Sequence, residues 1–275
     1  MIKLNQLAIK KYLLKKGIFL SETQVNVLQK TYFKLQHLIA SLFYSSNLHR
    51  LQNQYEAGKP DWYLDIYSKH FKELRNKKLN ILEIGIGGYT APKAGGGSLR
   101  MWQNYFPNST IHGIDIYDKE FHQDKRIKVY QGSQFDQLFL DSLVKKTGKF
   151  DVVIDDGSHI NEHVIFTFEA LFPHLNPNAI YVVEDTHTSY WEEFGGSTDK
   201  EACTIMNYFR NFSDKINYEE FNEKNYNPNL YESCITAIHF YHSILVIEKG
   251  ENTKGSIERG KLNSYFGLGS TMENK

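Results

Sequence analysis

The sequence predicts an α/β protein with a doubly wound, mostly parallel sheet, an N-terminal helical extension and a C-terminal antiparallel hairpin. Three observations predict it. From residue 80 onward, short Ile- and Val-rich runs alternate with helical stretches; these runs are apolar at nearly every position; and the loops that follow them collect glycines and acids. A strand covered on both faces has no polar side, so continuous apolar runs separated by helices belong to a parallel sheet with helices on each face.

Each element has its own signal. Gly17 closes a first lysine-studded apolar stretch, where a C-terminal glycine belongs. Ser21 and Gln24 then form a capping box for a second helix. Val25, Leu28, Tyr32, Leu35, Ile39 and Leu42 recur every three or four residues, one stripe expected to pack on the main domain or on a partner subunit. Residues 52–60 (QNQYEAGKP) read as a break, and Trp62, Tyr63, Ile66, Tyr67 and Phe71 outline an aromatic helix after it. Strands are expected at 80–85, 111–116, 127–130, 151–155 and 179–184, and helices at 99–106, 137–146 and 162–175. The runs 235–240 and 243–248 pair as a hairpin. The expected division is a helical extension over 1–60 for oligomerisation or as a lid, a catalytic domain over 61–250 and a polar tail over 251–275.

Composition excludes several classes of function. The 275 residues carry 32 basic and 32 acidic side chains, so no bulk positive field exists to hold nucleic acid. Lys10, Lys11, Lys15 and Lys16 cluster locally, which reads as the solvated face of a short helix. No apolar run reaches the roughly 18 residues of a membrane span, and the N-terminus lacks the uninterrupted apolar core of a secretion signal. The two cysteines, Cys203 and Cys234, stand far apart, which argues against a disulfide framework and a thiolate zinc site and for the cytoplasm.

In open α/β sheets ligands sit beyond the carboxyl ends of the strands. The first strand ends in LEIGIGG, with Glu83, Gly85, Gly87 and Gly88. A dinucleotide fingerprint counted from Gly85 needs a third glycine where Thr90 stands, which disfavours an NAD(P)-linked oxidoreductase. What remains, E-x-G-x-G, resembles motif I of class I S-adenosylmethionine-dependent methyltransferases. Asp115 ends the second strand, where a carboxylate accepts ribose hydroxyls. Gly132, Ser133 and Gln134 follow the third strand, placed to meet an adenine edge, and Gly95, Gly96 and Gly97 are read as part of a methionine pocket.

The fourth and fifth strands end in VIDDGSH and VVEDTHTSYW, which gather Asp155, Asp156, His159, Glu184 and Asp185. Like charges at 4 Å repel by several kcal/mol in partly buried surroundings, about 4 at an effective dielectric of 20, so a hard divalent cation is the simplest resolution. Oxygen donors suit Mg²⁺ or Mn²⁺. Because successive strand residues face opposite ways, Asp156 is favoured for the metal with Glu184 and Asp185, and Asp155 is assigned to the cofactor side. His159, three residues past Asp156, is the expected general base, since histidine as a residue type titrates near neutrality; His163 is the weaker alternative. Tyr190 and Trp191 offer either an apolar face for a sugar or core packing.

Longer strings carry a more specific likeness. LEIGIGGY, AGGGSLRMWQNYFP, IHGIDIYDK, VIDDGSH, FEALFPHL, VVEDTHTSYW and IHFYHSILVIEKG resemble bacterial sugar O-methyltransferases, nearest those of the macrolide deoxysugar (mycinamicin and demethylmacrocin) type, from about Trp62 to Gly250. The resemblance implies a Rossmann-like methyltransferase fold, S-adenosylmethionine as donor, and a Mg²⁺ ion that binds the acceptor's hydroxyls. By motif match it makes Asp156, Glu184 and Asp185 the metal ligands and His159 the base. It also implies a homo-oligomer and a small-molecule sugar acceptor. Family members carry a larger N-terminal auxiliary domain than the roughly 60 helical residues seen here, which favours a smaller or more open sugar acceptor than a macrolide, among nucleotide sugars, glycan termini and glycosylated natural products. The alternatives are transfer to an amine or phenol, or a non-catalytic nucleotide-binding partner.

Overall fold

The computed structural model describes residues 15–16, 20–221 and 225–253. Lys10, Lys11, Gly17, residues 222–224 and the tail beyond Thr253 lie outside the described residues. By spatial clustering the chain forms two compact units, one within residues 1–78 and 94–109, the other within 79–93 and 110–275. The helices at 61–71 and 97–105, which the sequence reading groups with the sheet, thus belong with the N-terminal helices.

In the first unit α1 spans Glu22–Phe43, α2 Leu48–Tyr55, α3 Asp61–Phe71 and α4 Gly97–Tyr105. The capping box forms at the start of α1, with the Gln24 amide donating to Ser21 Oγ and the Ser21 amide to Gln24 Oε1. The core is aromatic, as the spacing in 62–71 requires: Tyr67 meets Trp102 edge-on at 5.0 Å, and Phe71 lies 5.6 Å from Phe106. The buried face of α1 differs from the expected stripe. Leu28, Leu35 and Leu42 of the stripe are 47%, 45% and 68% exposed, while Val25, Tyr32 and Ile39 are partly buried. Gln36, Ala40 and Tyr44 are buried instead; Gln36 donates to the Gln54 carbonyl, and Asn104 bonds both His37 and the Tyr55 hydroxyl.

The second unit is a seven-stranded sheet of order β3-β2-β1-β4-β5-β7-β6. Its strands are β1 Asn80–Ile84, β2 Thr110–Asp115, β3 Ile127–Gln131, β4 Phe150–Asp155, β5 Leu175–Glu184, β6 Ile235–Tyr241 and β7 Ile244–Lys249. The first five pair in parallel, and β7 joins antiparallel to β5 and to β6, as expected for the hairpin. Strand order reverses between β1 and β4, the switch point where such sheets open a crevice. Helices α5 (Gln137–Thr147), α6 (Asn161–Leu171) and α7 (Ile205–Arg210) follow β3, β4 and β5. The expected helix over 162–175 stops at Leu171 and β5 starts at Leu175, since Pro173 lacks the amide an α-helix needs. Leu82, Ile84, Val153, Tyr181, Val183, Leu245 and Ile247 share one core with Phe168, Leu171 and Phe209. Among the described residues no helix is long and apolar enough to cross a membrane.

Candidate active site

The glycine turn after β1 is shaped by contact with the loop after β4. Gly85 has φ +88°, and a Cβ placed there would lie 2.0 Å from the Asp156 carbonyl oxygen. Only glycine tolerates both demands. The Asp156 amide donates to the Ile84 carbonyl at 3.0 Å, so the two loops are joined through backbone. Gly87 and Gly88 also have positive φ. Glu83 is fully buried one residue before the strand ends.

Asp115 knits three strand ends together. Its Oδ2 accepts from the Ile86 amide at 3.0 Å and its Oδ1 from the Tyr117 amide at 2.9 Å, while its carbonyl accepts from the Gly132 amide. Carboxylate oxygens have spare lone pairs, so acceptor capacity remains for ribose hydroxyls. Ser133 caps the following turn, its Oγ accepting from the Phe135 amide.

Gln134 and Asp155, both expected at the cofactor, face each other inside the unit. Gln134 donates to both Asp155 oxygens at 3.2 and 3.4 Å and to Thr167 Oγ1, and its Oε1 accepts from the Ser158 amide at 2.7 Å. The Tyr181 hydroxyl donates to Asp155 Oδ2. Burial pushes the Asp155 carboxyl up to about 7, against the opposing pull of these hydrogen bonds. In register Asp155 sits beside Ile84 and Val183 on the core face. The pleat therefore separates it from its neighbour, as the alternation argument requires.

Asp156, His159 and Asp185 do come together. His159 Nε2 lies 3.9 Å from Asp156 Oδ1 and 3.8 Å from Asp185 Oδ2, and one potential ligand atom from each residue falls within 4.8 Å of the others. All three side chains are partly exposed, as access requires. His159 and Asp185 have φ of 58° and 54°, left-handed conformations that cost a non-glycine residue roughly 1–3 kcal/mol and are held by the surrounding fold. Glu184 is 3% exposed at the end of β5 and stands outside this three-residue group. It shares the sheet face of Ile154 and Val182, opposite to Asp155. His163 is occupied elsewhere: its Nδ1 bonds Ser158 Oγ at 3.0 Å and its ring stacks on Phe135 at 4.4 Å. The two carboxylates are oxygen donors that suit a hard divalent cation, and the imidazole lies beside them.

Beyond Asp185 the chain makes a short helical turn over Thr186–Tyr190 and carries Tyr190 and Trp191, 52% and 46% exposed, with Trp191 against His187 at 4.5 Å. Their exposure removes the core-packing reading. The Gly95–Gly97 run lies in the first unit, where a Cβ on Gly97 would meet the Tyr55 carbonyl at 2.5 Å. Sequence reasoning missed Asn161, the buried residue that ties this segment to the His159 loop; an asparagine at a helix start reads as a local cap.

With the geometry in place, known proteins can be compared. No protein-family model matches the chain. It is 42% identical over 217 residues to mycinamicin VI 2''-O-methyltransferase of Micromonospora griseorubida, covering 77% of this chain and 54% of that protein. It is also 42% identical over 217 residues to demethylmacrocin O-methyltransferase of Streptomyces fradiae, covering 77% and 55%. A solved methyltransferase of the mycinamycin pathway, in complex with Mg and SAH, superposes with a TM-score of 0.74 at 42% identity, over 77% of this chain and 56% of that one. The chain is a relative of these sugar O-methyltransferases. It spans just over half the length of the curated relatives it matches.

Proposed function

We propose that the chain carries a methyltransferase domain that moves a methyl group from S-adenosylmethionine to a hydroxyl of a small-molecule sugar, with Mg²⁺ as the metal. The observation that carries this reading is the meeting of His159 Nε2 with the Asp156 and Asp185 carboxylates, on a loop whose backbone touches the Gly85 turn. Relatives that act on glycosylated natural products support it.

In this reading the Gly85–Gly88 turn admits the donor to close backbone approach, and Asp115 receives its ribose hydroxyls. Asp156 and Asp185 would hold the metal, with Glu184 as the third ligand. Its place at the end of β5, next to Asp185 in the chain, supports that assignment. A divalent ion held by these carboxylates would supply Lewis acidity, making a neighbouring sugar hydroxyl easier to deprotonate. His159 accepts the hydroxyl proton as the oxygen attacks the methyl carbon of the sulfonium and the thioether leaves. The neighbouring carboxylates stabilise the resulting imidazolium. Gln134 and Asp155 serve this site by fixing the loop that carries Asp156 and His159. Trp191 and Tyr190 offer an apolar surface for the sugar ring. The free thiols Cys203 and Cys234 are in keeping with a cytoplasmic setting.

The test combines one substitution with one removal. His159→Ala is expected to lower methyl transfer at least 100-fold, the low end of general-base contributions, while adenosylmethionine binding by calorimetry is unchanged. EDTA is expected to stop transfer, and Mg²⁺ or Mn²⁺ to restore it. Acceptors should span nucleotide sugars, glycosylated macrolides, catechols and amines, with products read by mass spectrometry. Transfer to catechols alone, or near-normal turnover by His159→Ala, overturns the reading. So does adenosylmethionine binding without transfer to any acceptor.

A further inference from the structure

The two loops that supply the metal and base residues come from different strands, so something must fix their separation. Asp156 and His159 follow β4; Asp185 follows β5. Asn161 stands two residues past His159, at the first position of α6, and is 1% exposed. Its side chain does not cap its own helix. Both Nδ2 protons go to the segment after Asp185, to the Thr188 carbonyl at 3.1 Å and the Phe194 carbonyl at 2.9 Å. Its Oδ1 accepts from the Ile205 amide at 2.7 Å, at the start of α7.

Thr188 continues the chain of bonds to the metal loop. Its amide and its Oγ1 both donate to the Asp185 carbonyl at 3.0 Å. The left-handed backbone of Asp185 is thus held from Thr188, and Thr188 is held from Asn161. The residues that anchor the chain are buried: Asn161 is 1%, Thr188 2% and Ile205 0% exposed. Bonds among buried polar groups are costly to break, since no water replaces the lost partner. The carboxamide, with two donors on one atom and an acceptor on the other, suits two carbonyls and an amide.

We propose that Asn161 is a positioning residue that sets the separation of Asp185 from His159 and Asp156, and thereby builds the metal site. This rests on the proposed metal reading. Asn161→Asp is the informative substitution. It keeps the acceptor for Ile205 and the side-chain shape, and replaces the two donors by an oxygen facing two carbonyls. Thr188→Val weakens the same chain at its next link by removing the Oγ1 donor while the backbone amide bond stays, and it guards against an Asn161→Asp protein that fails to fold.

The experiment measures Mn²⁺ binding to the full chain by electron paramagnetic resonance, beside adenosylmethionine binding by calorimetry. Asn161→Asp is expected to weaken Mn²⁺ binding at least tenfold and Thr188→Val several-fold, with adenosylmethionine affinity within twofold of the parent. Loss of structure in both variants, which lowers both affinities together, overturns the proposal. A folded variant of either kind that binds Mn²⁺ like the parent overturns it as well. A parent chain that binds no Mn²⁺ overturns the metal reading itself, a result distinct from failure of the Asn161 assignment alone.

Discussion

Asp155 and Asp156 are adjacent in the chain and alike in chemistry, yet they live in different surroundings. One is held among Gln134 and Tyr181 in the interior, the other opens toward His159. Two consecutive strand residues face opposite sides, so a run of two acids at a strand end divides into one inner and one outer carboxylate. The inner one makes a prediction about pH. Its carboxyl is raised to about 7 by burial, above the usual 3.8, so the folded protein binds its proton more tightly than the unfolded chain. That contribution to stability is complete below about pH 4 and is lost as pH rises toward 7, at up to about 1.4 kcal/mol per pH unit. Asp155→Asn, uncharged throughout, is expected to flatten this part of the pH dependence in urea unfolding at pH 5 and pH 8. An unchanged pH slope would remove Asp155 as its source. That the two acids face different ways was legible from alternation. That Gln134 turns inward to meet Asp155 was not, because an adenine contact and a buried carboxamide leave the same letters in a loop.

Between elements, close approach is decided by residues without side chains. Gly85 lets the turn after β1 touch the loop after β4, and Gly97 lets α4 begin against the end of α2. The triple glycine at 95–97 reads in sequence as a ligand loop, but the nearest atoms to Gly97 are the Tyr55 and Glu56 carbonyls. Gly97→Ala is therefore expected to destabilise the protein by about 1–3 kcal/mol, the usual cost of overpacking, seen as a lower unfolding midpoint in urea. A midpoint equal to the parent's would show that the α2–α4 contact tolerates a methyl group. The same lesson applies to α1. Its apolar spacing is real, but the face that packs carries Gln36 and meets Asn104, whose hydrogen-bond partners stand far off in the chain.

At the scale of the whole molecule, the expectation that meets its test in solution is self-association. Light scattering coupled to size exclusion should give a mass of at least twice the 32.0 kDa chain, and a monomer would end the homo-oligomer reading. The sequence alone determined the α/β class, the order of strands and helices, the antiparallel hairpin and the strand ends where chemistry gathers, because each depends on local periodicity and on glycine or acid at a turn. Tertiary structure alone decided that α3 and α4 join the N-terminal helices, that Asp156, His159 and Asp185 converge while Glu184 stands outside their group, and that Asn161 braces them. These outcomes depend on contacts between segments distant in the chain. A residue's spacing from its sequence neighbours fixes the face on which it starts, but only the packed fold fixes what meets it there.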